Sequence, residues 1–247
     1  MQCFPDRVPE SIRVLEVGTG PGFFAILLCE LGYEVTAIDL TPAMLSEAKK
    51  NAGAQADKIR FIEMNAEAVD FADASFDIVI SRNLTWNLPH PDKAYAEWAR
   101  VLKPEGLLLN FDANWYAYLF DDAAAADFAA DRKNSAEAGV EDQNVGKNFN
   151  VMEDIARRVP LSNIHRPAWD LETLRSLGLN AEADKKVWQR VWSEEEKLNF
   201  ASTPMFLVRA TNSSLLWDGL SGEKSTMSCT SQPSAPQMFV STSVEMS

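Results

Sequence analysis

Residues 14–40 read VLEVGTGPGFFAILLCELGYEVTAIDL, and this stretch decides the fold. IRVLEV (12–17) is a continuous apolar run, the pattern of a parallel strand covered on both faces. Glycines follow at 18, 20 and 22, then the apolar helix FFAILLCEL, which Gly32 ends as a C-terminal cap. EVTAID (34–39) is a second strand and closes on Asp39. A strand that ends in glycines just ahead of a helix brings backbone close to a ligand that side chains would obstruct. The unit is suited to a cofactor that contains a nucleoside.

Spacing and charge narrow the choice of cofactor. A dinucleotide fingerprint, G-x-G-x-x-G, requires its third glycine at position 23, and that residue is Phe23. The third glycine stands at 22 instead, giving G-x-G-x-G. Glu16 lies two residues before the first glycine, where a pyrophosphate would approach. A carboxylate there repels phosphate but pairs, directly or through water, with an ammonium. The adenosine cofactor with an ammonium and no phosphate is S-adenosylmethionine.

Outward from this segment the alternation continues. Thr41 and Pro42 supply an N-cap and a preset first residue for the helix AMLSEAKKNA. KIRFIEM (58–64), FDIVISR (76–82) and GLLLNFD (106–112) read as further strands, with a helix over DKAYAEWARVL (92–102) that Pro104 and Gly106 terminate. The expected fold is α/β, a doubly wound Rossmann-like and mostly parallel sheet. Residues 1–112 form its cofactor-binding core. Residues 113–185 break the rhythm with helical stretches at 121–136, 150–159 and 170–178, and read as a helical insertion or lid. KVWQRVW (186–192) and PMFLVRAT (204–211) alternate like strands, so 186–218 is expected to add an antiparallel closing pair. Residues 219–247, rich in Ser, Thr and Pro, read as a disordered tail.

The run E-V-G-T-G-P-G (16–22), Asp39, and the LKPEG turn (102–106) before the last core strand together resemble the class I S-adenosylmethionine-dependent methyltransferases, in particular their type 11 small-molecule group. The likeness covers about residues 12–112. It implies that Glu16, Gly18, Thr19, Gly20 and Gly22 lie against the methionine part and the ribose. It implies too that Asp39 binds the ribose hydroxyls and that Leu40 packs on adenine. Asn65, Ala66 and Glu67 match the loop that reaches the adenine amino group, with Asn where Asp is more common. Ser81, Arg82 and Asn83 match the strand end that meets the methionine moiety and the incoming substrate. Glu105 replaces one glycine of the LKPGG turn common in the family. Many relatives carry an N-terminal helical cap; here about eleven residues precede the first strand, which suggests a truncation or a lid supplied by the insertion.

The acceptor side is read from the loops after the fourth and fifth core strands, NLTWNLPH (83–90) and FDANWYAY (111–118). Trp86, Trp115 and Tyr116 are candidates for an aromatic wall or a box around a cationic amine, or for packing the insertion on the sheet. Asn83, Asp112 and Asn114 are candidate polar contacts. NLTW lacks the prolines of the N-P-P-Y motif found at this place in nucleic-acid amino methyltransferases. Methyl transfer from a sulfonium needs alignment, and needs a base only when the nucleophile must lose a proton. His90 is the candidate base; His165, within the insertion, carries less information.

The formal net charge of −13 argues against a nucleic-acid partner and for a small-molecule methyl acceptor. The three cysteines show no metal spacing, so no metal is expected. There is no apolar run of about 18 residues and no signal-peptide pattern at the start, so no membrane partner and a cytoplasmic location are expected. Two other functions fit parts of the pattern: a binding module that holds the cofactor without turnover, and a nicotinamide oxidoreductase. Phe23 and Glu16 speak against the second.

Overall fold

The computed structural model describes residues 8–142 and 149–212. The expected tail at 219–247 lies outside the described residues. In chain order the strands are β1 Arg13–Val17, β2 Glu34–Asp39, β3 Arg60–Glu63, β4 Phe76–Arg82, β5 Leu102–Asp112, β6 Asn180–Asp184 and β7 Phe206–Thr211. The α-helices are α1 Phe23–Glu30, α2 Pro42–Ala52, α3 Pro91–Val101, α4 Asp122–Glu137, α5 Phe149–Ala156, α6 Ala168–Ser176, α7 Trp188–Val191 and α8 Glu194–Asn199. The sheet order is β3-β2-β1-β4-β5-β7-β6, with β7 antiparallel to both its neighbours. This is the doubly wound, mostly parallel sheet with one antiparallel closing strand. The strand order reverses between β1 and β4, which opens a crevice at their carboxyl ends.

Alternate residues of each strand feed two cores. Leu15, Val17, Leu108 and Val208 join Tyr95 and Trp98 of α3 and Leu174 of α6 on one face. Val14, Ile78, Leu109 and Leu207 join Ala25 and Leu28 of α1, Val187 and Trp192 on the other. Burial on both faces explains why these strands read as unbroken apolar runs. Helix α1 ends as expected: Gly32 takes φ +91°, its N–H donates to Cys29 O, and the Tyr33 N–H reaches Leu28 O, a Schellman pattern. Among the described residues no helix is long and apolar enough to cross a membrane.

Two local expectations are corrected. KVWQRVW is not a strand: residues 188–191 are helical, and the strand that pairs with β7 is Asn180–Asp184. V-W-x-x-V-W places like residues four apart as well as in alternation, so its period is ambiguous. The rings of Trp188 and Trp192 pack at 5.9 Å across one helical turn. Asp184 Oδ1 accepts the Lys186 N–H at 2.8 Å and turns the chain out of the sheet. The true strand, NAEAD, has no β-branched or aromatic residue and buries little beyond Ala181, so pattern alone could not find it.

The second correction concerns LKPEG, which lies inside a strand that begins at Leu102. The register between β4 and β5 shifts between the pairs Phe76–Leu102 and Ile78–Leu107. Glu105 sits in the shift at φ +60°, the left-handed region where a Cβ costs about 1 kcal/mol and glycine costs nothing. Glu105→Gly is therefore expected to raise the melting temperature by roughly 2 °C, after allowing for a looser unfolded chain. A lowered or unchanged midpoint in thermal melts would count against strain at this position.

Candidate active site

The glycine turn is pinned to the neighbouring strand through its own backbone. The N–H groups of Gly18 and Thr19 both donate to Ile38 O at 2.9 Å, and Gly22 N–H donates to Thr19 O. Gly18, Gly20 and Gly22 take φ of +70°, +51° and +95°. At Gly20 a Cβ would meet nothing within 4 Å, so this part of the turn faces open space. At Gly22 it would lie 3.2 Å from Ala48 and Ile26, so the third glycine lets α1 approach α2.

Glu16 does more for the turn than the sequence suggests. Its carboxylate is buried, with Oε2 accepting from Thr19 Oγ1 at 2.6 Å and Ala25 N–H at 2.7 Å, and Oε1 accepting from Phe24 N–H at 3.2 Å. Both oxygens are thus engaged by the turn and by the N-terminus of α1, where a negative charge is favoured. The expected pairing with an ammonium is not what orients this side chain. Burial pushes its pKa up to about 7, outweighing the hydrogen bonds from Thr19, Ala25 and Phe24 that lower it, while Asp39 adds to the rise.

An acid whose pKa is raised on folding contributes stability below its unfolded value, and that contribution is lost as pH climbs through the folded value. For Glu16 the window runs from about 4.5 to about 7. Across it the wild type is expected to lose about 3 kcal/mol of stability relative to Glu16→Gln. Urea titrations of both proteins from pH 5 to 8 check this; parallel profiles would show that Glu16 does not titrate in this range.

Asp39 bridges the turn to the end of β2, with Oδ2 accepting from Gly20 N–H and Oδ1 from Thr41 N–H, each at 2.9 Å. Thr41 stands at the N-cap position of α2, but its own side chain makes no capping bond. Leu40 is 65% exposed beside Asp39, an apolar surface open to a flat ring. In the next loop Asn65 Oδ1 accepts from Glu67 N–H, Ala66 O accepts from Trp98 Nε1, and Glu67 Oε1 accepts from His90 N–H at 2.7 Å. Ala66 and Glu67 therefore anchor the loop to α3, and Asn65 lies exposed at its tip.

At the end of β4, Ser81 is buried and its hydroxyl donates to Val17 O at 3.0 Å, tying β4 to β1. Arg82 extends toward α1, its guanidinium 4.7 Å from the centre of the Phe23 ring. Asn83 turns the chain at φ +54°; its carbonyl accepts the Trp86 indole N–H. His90 is exposed at the N-cap of α3, and His165 is exposed in the insertion.

The proposed acceptor wall is organised by a buried polar network that the sequence did not suggest. Asp112 is fully buried and accepts five bonds: from Thr85 Oγ1 at 2.6 Å, Trp86 N–H at 3.0 Å and Arg166 Nη1 at 2.7 Å on one oxygen, and from Ala113 N–H and Trp115 Nε1, each at 2.9 Å, on the other. Arg166 also makes a forked pair with Asp170, through Nε to Oδ2 at 2.9 Å and Nη2 to Oδ1 at 2.6 Å. Tyr95 Oη donates to the same Asp170 oxygen, and Asn110 Nδ2 donates to both Thr85 and Tyr95. Burial and the nearby Asp170 carboxylate hold the Tyr95 phenol well above its usual range.

This network changes the roles expected of several residues. Both oxygens of Asp112, expected as a polar contact for the acceptor, are engaged by donors of the protein itself. Asn114 bonds the Arg166 backbone at both its amide atoms, locking the insertion to the end of β5. Trp86, 7% exposed, and Trp115 both spend their indole N–H groups on protein acceptors, and Trp115 packs its ring on Phe200. Tyr116 is half-buried and packs at a tilt between Trp86 at 4.8 Å and Tyr118 at 6.0 Å. Thr85, Tyr95, Asn110, Arg166 and Asp170 were missed. The local trace was R-x-x-x-D at 166–170, a spacing shared with ordinary surface pairs on helices.

An open parallel sheet with a glycine turn after β1, and an acid from the end of β2 holding that turn, defines the class I methyltransferase architecture. Residues 15–110 match the family model described as a methyltransferase domain (type 11). The demethylmenaquinone methyltransferase of Thermus thermophilus is 38% identical over 99 residues, which cover 39% of this chain and 45% of that enzyme. Among solved structures, phosphoethanolamine N-methyltransferase 2 of Haemonchus contortus in complex with S-adenosyl-L-methionine aligns with a TM-score of 0.57 at 17% identity, covering 86% of this chain and 51% of that one. An S-adenosylmethionine-dependent methyltransferase from Aquifex aeolicus aligns with a TM-score of 0.51 at 18% identity, covering 83% and 84%. At these identities the structural likeness is one of fold. The match to the Thermus relative spans less than half of its length.

Proposed function

We propose that this protein transfers the methyl group of S-adenosylmethionine to a small-molecule acceptor. The observation that carries this reading is the glycine turn held between Glu16 and Asp39, with Gly20 facing open space and Leu40 exposed beside it. The backbone of residues 18–20 approaches the methionine part and the ribose, Asp39 has lone pairs left for ribose hydroxyls, Leu40 packs on adenine, and Asn65 reaches the adenine edge. When bound, the sulfonium supplies the electrophilic methyl carbon. The protein then aligns an acceptor atom in line with it and keeps water away.

The acceptor approaches over the ends of β4 and β5, between Asn83 and the packed, tilted rings of Trp86 and Tyr116. An aromatic surface here favours a flat acceptor, in keeping with the quinone named for the Thermus relative. His90, exposed and at a helix start, is poorly placed to serve as a buried base, so an acceptor atom that needs no strong base fits best.

Titration calorimetry with S-adenosylmethionine and with NAD tests the cofactor, and heat with NAD alone would overturn the reading. Incubation of a metabolite extract with isotopically labelled S-adenosylmethionine, followed by mass spectrometry, tests turnover. Cofactor binding without any labelled product across extracts would favour a binding module.

A further inference from the structure

We propose that the cleft between the β6–β7 edge of the sheet and helix α7 binds a small molecule with clustered negative charge, such as a phosphate ester or a polycarboxylate. The cleft holds about 560 Å³ and is lined by Lys185, Lys186, Arg190 and Arg209, with Glu182 and Asp184 as its acidic members. The chain as a whole carries a formal net charge of −13, so its surface repels anions in general. Four cations around one hollow, against two carboxylates, reverse that field locally.

Pairing inside the cleft decides where the surplus charge lies. Asp184 Oδ2 accepts from Arg190 Nη2, and Glu182 Oε1 accepts from Arg209 Nη1 at 3.2 Å, so each carboxylate has an arginine beside it. Among the described residues neither Lys185 nor Lys186 forms an ion pair, and both are exposed. The two ammonium groups therefore set the sign of the cleft. Arg209 meets Glu182 through one nitrogen, which leaves donors of its fork for a second acid. Exposed ion pairs of this kind contribute little to stability, so either arginine turns toward a ligand at small cost.

Register places the cleft beyond the cofactor crevice but at the same end of the sheet. Asp184 pairs with Leu207, and Leu207 pairs with Phe111, so Asp184 lies two strands beyond the carboxyl end of β5. The crevice opens between β1 and β4, on the other side of β5. The anion has two sources: a free effector, or an acid group at the far end of the methyl acceptor. The site itself stands on its charges, and only the second source rests on the methyltransferase reading above.

Calorimetry on the whole chain at low salt, with inorganic pyrophosphate as the probe, tests the site. The wild type is expected to bind it, and Lys185→Gln combined with Lys186→Gln to weaken binding at least about tenfold. Lys49 and Lys50, an exposed pair on α2, serve as the control: changing both to Gln should alter binding by less than about twofold. All four lysines are exposed, so neither double variant removes core packing. No heat with the wild type up to about 10 mM pyrophosphate overturns the proposal. Equal losses in the two double variants also overturn it, because they show attraction to the surface at large. Labelled methyl transfer into a metabolite extract then separates the sources. If the acceptor supplies the acid group, pyrophosphate suppresses the labelled product and the Lys185 and Lys186 double variant forms less of it. If the anion is a free effector, that variant labels the same product as the wild type when pyrophosphate is absent. A wild type that labels nothing defeats the methyl-transfer reading and leaves the calorimetric result to decide the site.

Discussion

Arg166→Met is expected to destabilise the protein by about 3–5 kcal/mol, the cost of leaving a buried charge without its partner. Arg166 is 2% exposed, and it pairs with two carboxylates, Asp112 and Asp170, that are 0% exposed. Methionine fills a similar volume and preserves contact with Phe206, over which the guanidinium lies at 5.2 Å, so packing loss is a minor part of the effect. Urea unfolding should show the midpoint fall with little change in slope, and thermal melts should drop on the order of 10 °C. Adding Asp170→Asn removes one stranded charge and should recover part of the loss, a coupling that independent sites do not show. A single variant within about 1 kcal/mol of wild type would mean that the network does not clamp the insertion to the sheet.

Asp39→Ala is expected to raise the dissociation constant for S-adenosylhomocysteine at least tenfold, through hydrogen bonds to a charged acceptor worth about 1.5–3 kcal/mol. The effect has two sources. The carboxylate is the proposed ribose partner, and in the structure it also holds the Gly20 and Thr41 N–H groups. Asp39→Asn is the milder change: the amide oxygen keeps one of the two turn N–H bonds, while the other oxygen becomes a donor and the charge is lost. Its affinity should lie between alanine and wild type. Calorimetry on the three proteins checks the order, and an alanine variant that binds as wild type does would remove Asp39 from the site.

These predictions draw on parts of the molecule that differed in how far they could be read beforehand. The cofactor half was legible because it is local. Strand, turn, helix and strand occupy residues 13–39 without interruption, and the periodicity, the glycine positions and the acid at the end of β2 all concern neighbours in the chain. The position of Glu16 was meaningful too, yet its partners were not. Spacing placed a carboxylate beside the glycines, and only the folded turn showed both oxygens facing the start of α1. Strand β6 was misplaced because five polar and small residues gain their strand character from β7 rather than from themselves.

By itself, then, the sequence determined the parallel part of the sheet, its direction of winding and the class of cofactor, since each follows from contiguous apolar runs and the turns that join them. Tertiary structure alone decided the buried polar network beside the ends of β4 and β5. Thr85, Tyr95, Asn110, Asp112, Arg166 and Asp170 come from five separate elements and loops and meet only after the insertion docks. Pairing between residues up to 81 positions apart leaves no periodic trace along a chain, because such bonds are selected by burial and not by local conformation.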